Sequence, residues 1–126
     1  MPVFDAFGIV VSDLAASLSF YRLLGIDLPE SGEGHVEAEL PGGIRMMFDT
    51  IDVIESFSEW TPPSGSRGIG LAFLCDGPAD VDATHARIVA AGHRSKLDPF
   101  DAFWGQRYAT VLDPDGNPVD LFAPLG

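Results

Sequence analysis

The run Trp104-Gly105-Gln106-Arg107-Tyr108-Ala109-Thr110-Val111-Leu112-Asp113-Pro114-Asp115-Gly116-Asn117-Pro118-Val119-Asp120-Leu121-Phe122 decides how the rest of the chain is read. Apolar residues alternate with small or polar ones up to Leu112, a turn of Asp, Pro, Gly and Asn follows, and a second alternating run leaves it. This is the pattern of a β-hairpin. Asp120 stands between Val119 and Leu121, so its side chain leaves the strand on the opposite face from theirs. If those two residues meet a core, the carboxylate faces a cavity or water.

The chain has 126 residues, of which 46% are hydrophobic, enough for one globular domain with a real core. Its single cysteine, Cys75, excludes an internal disulfide and lies after the apolar run Leu71-Ala72-Phe73-Leu74, where a buried, unreactive thiol is expected. The formal net charge is −12, from 19 acids against 7 Lys plus Arg. Such a surface repels phosphate backbones and anionic lipid, which disfavours nucleic-acid and membrane roles, and it attracts cations. Met1-Pro2-Val3-Phe4-Asp5 shows no basic region followed by a long apolar stretch, and a soluble cytoplasmic protein is expected.

Outward from the hairpin, the chain reads as a repeat. Phe4 to Val11 alternates as a strand. Ser12 or Asp13 caps a helix from about Leu14 to Leu24, in which Leu14, Leu18, Tyr21 and Leu24 share a face, and Gly25 stops it. His35 to Leu40 and Ile44 to Phe48 read as strands around the turn Pro41-Gly42-Gly43. A looser segment with one short helix follows. The order then recurs: a strand over Ile69 to Cys75, a helix opened by Pro78 to Asp80 and closed by Gly92, a short strand near Ser95 to Leu97, an aromatic loop from Phe100 to Trp104, and the hairpin. Laying the halves over one another matches Gly25 to Gly92 and Gly42-Gly43 to Gly116-Asn117. Two modules result, over about residues 3–50 and 68–123, with a linker over about 51–67. Each has too little core alone, so the modules are expected to join edge to edge or to exchange with a second chain.

Val11-Ser12-Asp13, Ser17, Phe20-Tyr21, Leu24-Gly25, Trp104-Gly105-Gln106-Arg107 and Asp113-Pro114-Asp115-Gly116-Asn117 together resemble the vicinal oxygen chelate superfamily, over nearly the whole chain from Phe4 to Phe122. That group contains glyoxalase I, extradiol dioxygenases, fosfomycin-modifying enzymes and bleomycin-resistance binding proteins. The resemblance implies an α+β fold of two tandem βαβββ modules forming a curved mixed sheet, with helices on the convex face and a ligand cleft on the concave face. In the enzymes, His, Gln or Glu side chains from the first and last strands of each module hold a metal. The corresponding positions here fall on Ala6, Met46, Gly70 and Asp120. A protein-bound divalent ion needs about three or four donors at about 2.0–2.6 Å, and one carboxylate among Ala, Met and Gly does not supply them. No metal and no cofactor are therefore expected. His35, His85 and His93 share no ligand position and are read as surface or helix-end residues; Asp113 and Asp115 lack the remaining donors of a calcium loop.

Without a metal, alternation lines the concave face with Ala6, Gly8, Met46, Phe48, Gly70, Asp120 and Phe122, and the resemblance places the segments Phe57 to Trp60 and Phe100 to Trp104, with Phe103 and Trp104, near its mouth. Arg107 is expected to pair with Asp120 and help position a ligand. No residue is assigned a catalytic role. The reading is a metal-free protein resembling the bleomycin-resistance type, a homodimer that sequesters an aromatic or cationic natural product such as bleomycin, mitomycin or an enediyne. The alternatives are a metal-independent isomerase, epimerase or lyase using Asp120 with Arg107 or Tyr108, a metal-dependent glyoxalase- or dioxygenase-like enzyme, and an accessory domain with no small ligand.

Overall fold

A computed structural model describes residues 1–62 and 68–126. Residues 63–67 of the expected linker, with Pro63, Gly65 and Arg67, lie outside the described residues. The fold is α+β, with one mixed sheet of three strands and one of four. The chain divides into two compact units, Met1–Pro63 and Ser64–Gly126. Among the described residues no helix is long and apolar enough to cross a membrane.

The N-terminal unit runs β1 (Ala6–Val11), α1 (Leu14–Arg22), β2 (His35–Glu39), β3 (Arg45–Thr50) and α2 (Ile51–Glu55). Asp13 caps α1, its side chain accepting from the Ala16 amide at 3.1 Å. The sheet has the order β1-β3-β2, with β1 parallel and β2 antiparallel to β3. Met46 and Phe48 of β3 are fully buried, and the Phe48 ring lies 5.3 Å from that of Tyr21 on α1. These two side chains belong to the helix-covered face.

The C-terminal unit runs β4 (Leu71–Leu74), α3 (Pro78–Ala90), β5 (Arg94–Ala102), β6 (Gln106–Leu112) and β7 (Pro118–Pro124), in the sheet order β4-β7-β6-β5. Ala109, Val111, Val119, Leu121 and Ala123 are fully buried on the face covered by α3, whose own buried residues are Val81, Thr84, His85 and Ile88. Each large apolar side chain so placed stabilises the fold by about 1.5–3 kcal/mol. β5 is nine residues long and not the short strand expected near Ser95 to Leu97; two register shifts, between Ser95 and Leu97 and between Leu97 and Phe100, let it continue to Ala102. Such bulges break the simple alternation that marks a strand in sequence.

Two details display the repeat. Gly25 and Gly92 both adopt positive φ, and each closes its helix with the same pair of bonds: Gly25 N to Arg22 O and Ile26 N to Tyr21 O, Gly92 N to Val89 O and His93 N to Ile88 O. The hairpin turns also match, since Gly43 N donates to Leu40 O as Gly116 N donates to Asp113 O, and Leu40 N to Ile44 O as Asp113 N to Asn117 O. Gly43, not Gly42, is therefore the partner of Gly116, and the two halves align one residue away from the expected overlay. The units differ after their first helix. Where the C-terminal unit has β5, residues 27–34 form no strand, although Ile26 and Leu28 are buried; Pro29 removes an amide donor and Gly34 turns the chain at φ +82°.

Asp113 holds the second hairpin together. Its Oδ1 accepts from the amides of Asp115 (3.0 Å) and Asn117 (2.8 Å), its Oδ2 accepts from Asn117 Nδ2 (2.8 Å), and the residue is 2% exposed. Asp113→Ala leaves these donors unsatisfied and is expected to lower stability by about 1–3 kcal/mol in urea unfolding, whereas Asp115→Ala keeps all three bonds and is expected to cost less.

Candidate functional site

The face of the four-stranded sheet turned away from α3 is built from the residues that alternate with the buried ones. Strand register orders them into two rows. Leu74 of β4 lies opposite Phe122 of β7, which lies opposite Tyr108 of β6, which lies opposite Phe100 of β5. The next row is Ala72, Asp120, Thr110 and Leu97. An apolar, largely aromatic row thus runs across all four strands, and a parallel row carries one carboxylate.

Asp120 is gripped by its neighbours on β6. The Tyr108 hydroxyl donates to Oδ2 and the Thr110 hydroxyl donates to Oδ1 at 2.7 Å. Burial, and then the bond to Asp120 and its negative charge, push the Tyr108 hydroxyl up to about 12, so it remains a proton donor at neutral pH. At the end of the aromatic row the chain turns through Phe103 and Trp104. Trp104 meets Tyr108 at 5.3 Å and 81°, Phe100 at 6.2 Å and 90°, and Phe103 at 5.0 Å and 87°, all edge to face. Its indole N–H donates to Gln106 Oε1 at 2.7 Å, which fixes the ring while leaving the residue 49% exposed. Phe103 is 97% exposed and Leu74 68%.

The structure brings Phe103, Trp104, Asp120 and Phe122 to one face of this unit and corrects the expectation for Arg107. Arg107 is one residue out of phase with Tyr108 and emerges on the α3 face, where Nε and Nη2 donate to Asp82 at 2.9 and 3.2 Å and Nη1 donates to Asp101 at 3.1 Å. It ties β6 to α3 and β5, and forms no pair with Asp120. Gly70 immediately precedes β4, and among the described residues nothing beyond its chain neighbours lies within 4 Å of where its Cβ would be. Tyr108 and Thr110, two apart on one strand, complete the site; that spacing puts both hydroxyls on a single face and is the sequence signal for them.

In the N-terminal unit, Ala6 and Gly8 face away from α1, as expected, but Met46 and Phe48 do not. Gly8 lies opposite Met47, and a Cβ at Gly8 would meet Met47 Cε at 3.7 Å. Met47, not Met46, therefore corresponds to Asp120, as the turn hydrogen bonds require. Phe57, 74% exposed, and Trp60 follow α2 in this unit. On the same face as Gly8, a charged network crosses the sheet: His35 Nδ1 meets Asp49 Oδ1 at 2.5 Å and Nε2 meets Glu37 Oε2 at 2.9 Å, while Arg45 donates to Glu37 at 2.8 Å and to Asp5 at 2.6 Å. His35 is a surface residue, as expected, and it also joins two carboxylates. His85, by contrast, is buried and not a surface or helix-end residue, with Nε2 2.8 Å from Ser95 Oγ, which donates to Asp98 at 2.6 Å.

These residues do not fit a divalent metal. The ligand positions that the resemblance implies, with Met47 replacing Met46 once the halves are realigned, hold Ala6, Met47, Gly70 and Asp120, so a single carboxylate stands among side chains that offer no oxygen or nitrogen donor. The two carboxylates beside His35 lie on opposite ring nitrogens and do not converge on one point. Among the described residues no group of three or more His, Cys, Asp or Glu side chains is arranged to hold an ion.

A model of the Glyoxalase/Bleomycin resistance protein/Dioxygenase superfamily matches residues 3–121. The chain is 30% identical over 118 residues to the uncharacterized protein YaeR of Escherichia coli K12, covering 90% of each. A glyoxalase/bleomycin resistance protein/dioxygenase from Nocardioides superposes with a TM-score of 0.75 at 27% identity, covering 99% of this chain and 85% of that one. A glyoxalase-related enzyme from Fulvimarina pelagi superposes with a TM-score of 0.82 over 98% of this chain and 88% of that one, at 21% identity, a likeness of fold alone.

The hydrogen bonds from His35 to Glu37 and then Asp49 raise its pKa above the ordinary 6.5. A raised folded-state pKa means that folding retains a proton the unfolded chain releases, so this stabilisation is complete below pH 6.5 and is lost as pH rises through the folded value. In urea titrations the stability difference between the native protein and His35→Gln is expected to be largest at pH 5.5 and to shrink steadily towards pH 8.5.

Proposed function

Because the chain belongs to the Glyoxalase/Bleomycin resistance protein/Dioxygenase superfamily, we propose that it is a metal-free binding protein that sequesters an aromatic or cationic natural product, in the manner of the bleomycin-resistance members, and works as a homodimer. The observation that carries this reading is Asp120. It stands at a position the resemblance assigns to a metal ligand, yet two neutral hydroxyls hold it and an aromatic row borders it. Flat ligands stack on such rings with about 0.5–1.5 kcal/mol beyond the area they bury. Protection comes from holding the compound away from its target, so no group on this face has to move a proton.

A metal-independent isomerase or lyase is the second reading, favoured by the direct bond between Tyr108 and Asp120. In that chemistry Asp120 takes a proton from the substrate and Tyr108 polarises an oxygen. The raised pKa of Tyr108 keeps its hydroxyl protonated, so it serves as a hydrogen-bond donor.

Titration of tryptophan fluorescence with bleomycin, mitomycin and enediyne compounds is expected to give saturable binding of at least one class with Kd about 1 μM or tighter. Trp104→Phe is expected to remove most of the signal, and mass spectrometry is expected to recover the compound unchanged. Recovery of a converted compound supports the isomerase or lyase reading instead, and no saturable binding across the panel contradicts sequestration.

A further inference from the structure

Asp120 differs from the other bonded carboxylates on these sheets in what surrounds it. Arg107 answers Asp82 and Asp101, and Arg45 answers Asp5 and Glu37. Among the described residues no Lys, Arg or His pairs with Asp120. Its two partners are neutral hydroxyls, so the negative charge is oriented but not compensated. A partly buried carboxylate in that state carries a desolvation cost that an incoming cation relieves. A carboxylate offers about four lone-pair sites, of which the hydroxyls take two, so acceptor capacity remains for a ligand N–H.

The surroundings favour a cation further. Tyr108, whose hydroxyl reaches Asp120, is flanked on the same face by Phe100, Phe122 and Trp104. Aromatic faces attract positive charge. The carboxylate row and the aromatic row are two residues apart along the strands, about 7 Å. The acidic surface, at net charge −12, raises the local concentration of cations and lowers that of anions.

Resting on the binding-protein reading above, we infer that the ligand is an organic cation of two parts: a protonated amine that donates to Asp120, and a flat aromatic group about 7 Å away that lies on the Phe100, Tyr108 and Phe122 row beside Trp104. Tyr108 and Thr110 act as positioning residues that hold the carboxylate towards the amine. Charge selection takes the place of metal coordination at this corner of the fold. A neutral ligand of the same shape leaves Asp120 uncompensated and binds more weakly; an anion is repelled.

The test uses three probes of one shape: 4-phenylbutylamine, 4-phenylbutanol and 4-phenylbutyrate, titrated against the full chain by calorimetry or Trp fluorescence at low salt. The amine is expected to bind at least about 10-fold more tightly than the alcohol, and the carboxylate more weakly than either. Added salt is expected to shrink the amine's advantage. Asp120→Asn keeps an oxygen that can accept from a hydroxyl, and is expected to bring amine and alcohol within about 2-fold of one another. Ala72→Lys offers a second route that leaves the carboxylate in place: Ala72 is exposed and lies opposite Asp120 on β4, so the new ammonium occupies the amine's position and erases the preference. Thermal melting confirms that both variants are folded. Equal binding of amine and alcohol to the native chain, or a preference that survives both variants, overturns the inference while leaving the aromatic face a binding site. Absence of binding by all three probes also overturns it, and sequestration itself falls only if the drug panel fails to bind as well.

Discussion

Thr110 and Tyr108 both donate to Asp120, and they can do so because β6 and β7 pair with Thr110 opposite Asp120 and Tyr108 opposite Phe122. The same register sends Ala109, Val111, Val119 and Leu121 to α3. One pairing therefore determines the core on one face and the carboxylate with its aromatic border on the other. A slip of a single residue would bury Asp120 under α3 and expose the valines, which is costly on both faces. Asp113 secures that register from the turn, and Arg107 secures it from the helix side through Asp82.

Much of this architecture is legible in the sequence. The hairpin, the glycine that ends each long helix, the Asp13 cap and the repeat of strand, helix and strands follow from turn chemistry and from periods of 2 and 3.6 residues. The sequence does not determine the alignment of the two halves to the residue, because a Gly-Gly pair offers two equivalent matches to Gly116. Only the hydrogen bonds of the turn select Gly43. Strand side chains alternate, so a shift of one residue exchanges Met46 and Phe48, which belong under α1, for Met47 on the opposite face. Arg107 and Asp120 are on neighbouring strands, yet neighbouring strands carry side chains on both faces; their opposite phases became visible only with the pairing register.

The residues that were not legible are those whose partners are distant in sequence or displaced by bulges. His35 finds Asp49 fourteen residues on, and His85 reaches Ser95 where β5 departs from regular alternation. Phe100 has the sequence signature of a loop because two register shifts precede it, yet the second shift is what brings it opposite Tyr108 and completes the aromatic row. Local propensity carries no trace of such placements. They arise from the bulged pairing of the finished sheet.

The central claim is that the open face of the C-terminal sheet is a ligand site organised by Asp120. A crystal structure of the protein with its tightest-binding compound tests it most directly. The account predicts the flat part of the compound against Phe100, Tyr108 and Phe122, a ligand nitrogen about 2.7–2.9 Å from an Asp120 carboxylate oxygen, and the Tyr108 and Thr110 bonds intact. A compound bound away from this face, or a metal ion coordinated by Asp120 with the two hydroxyls displaced, would contradict it.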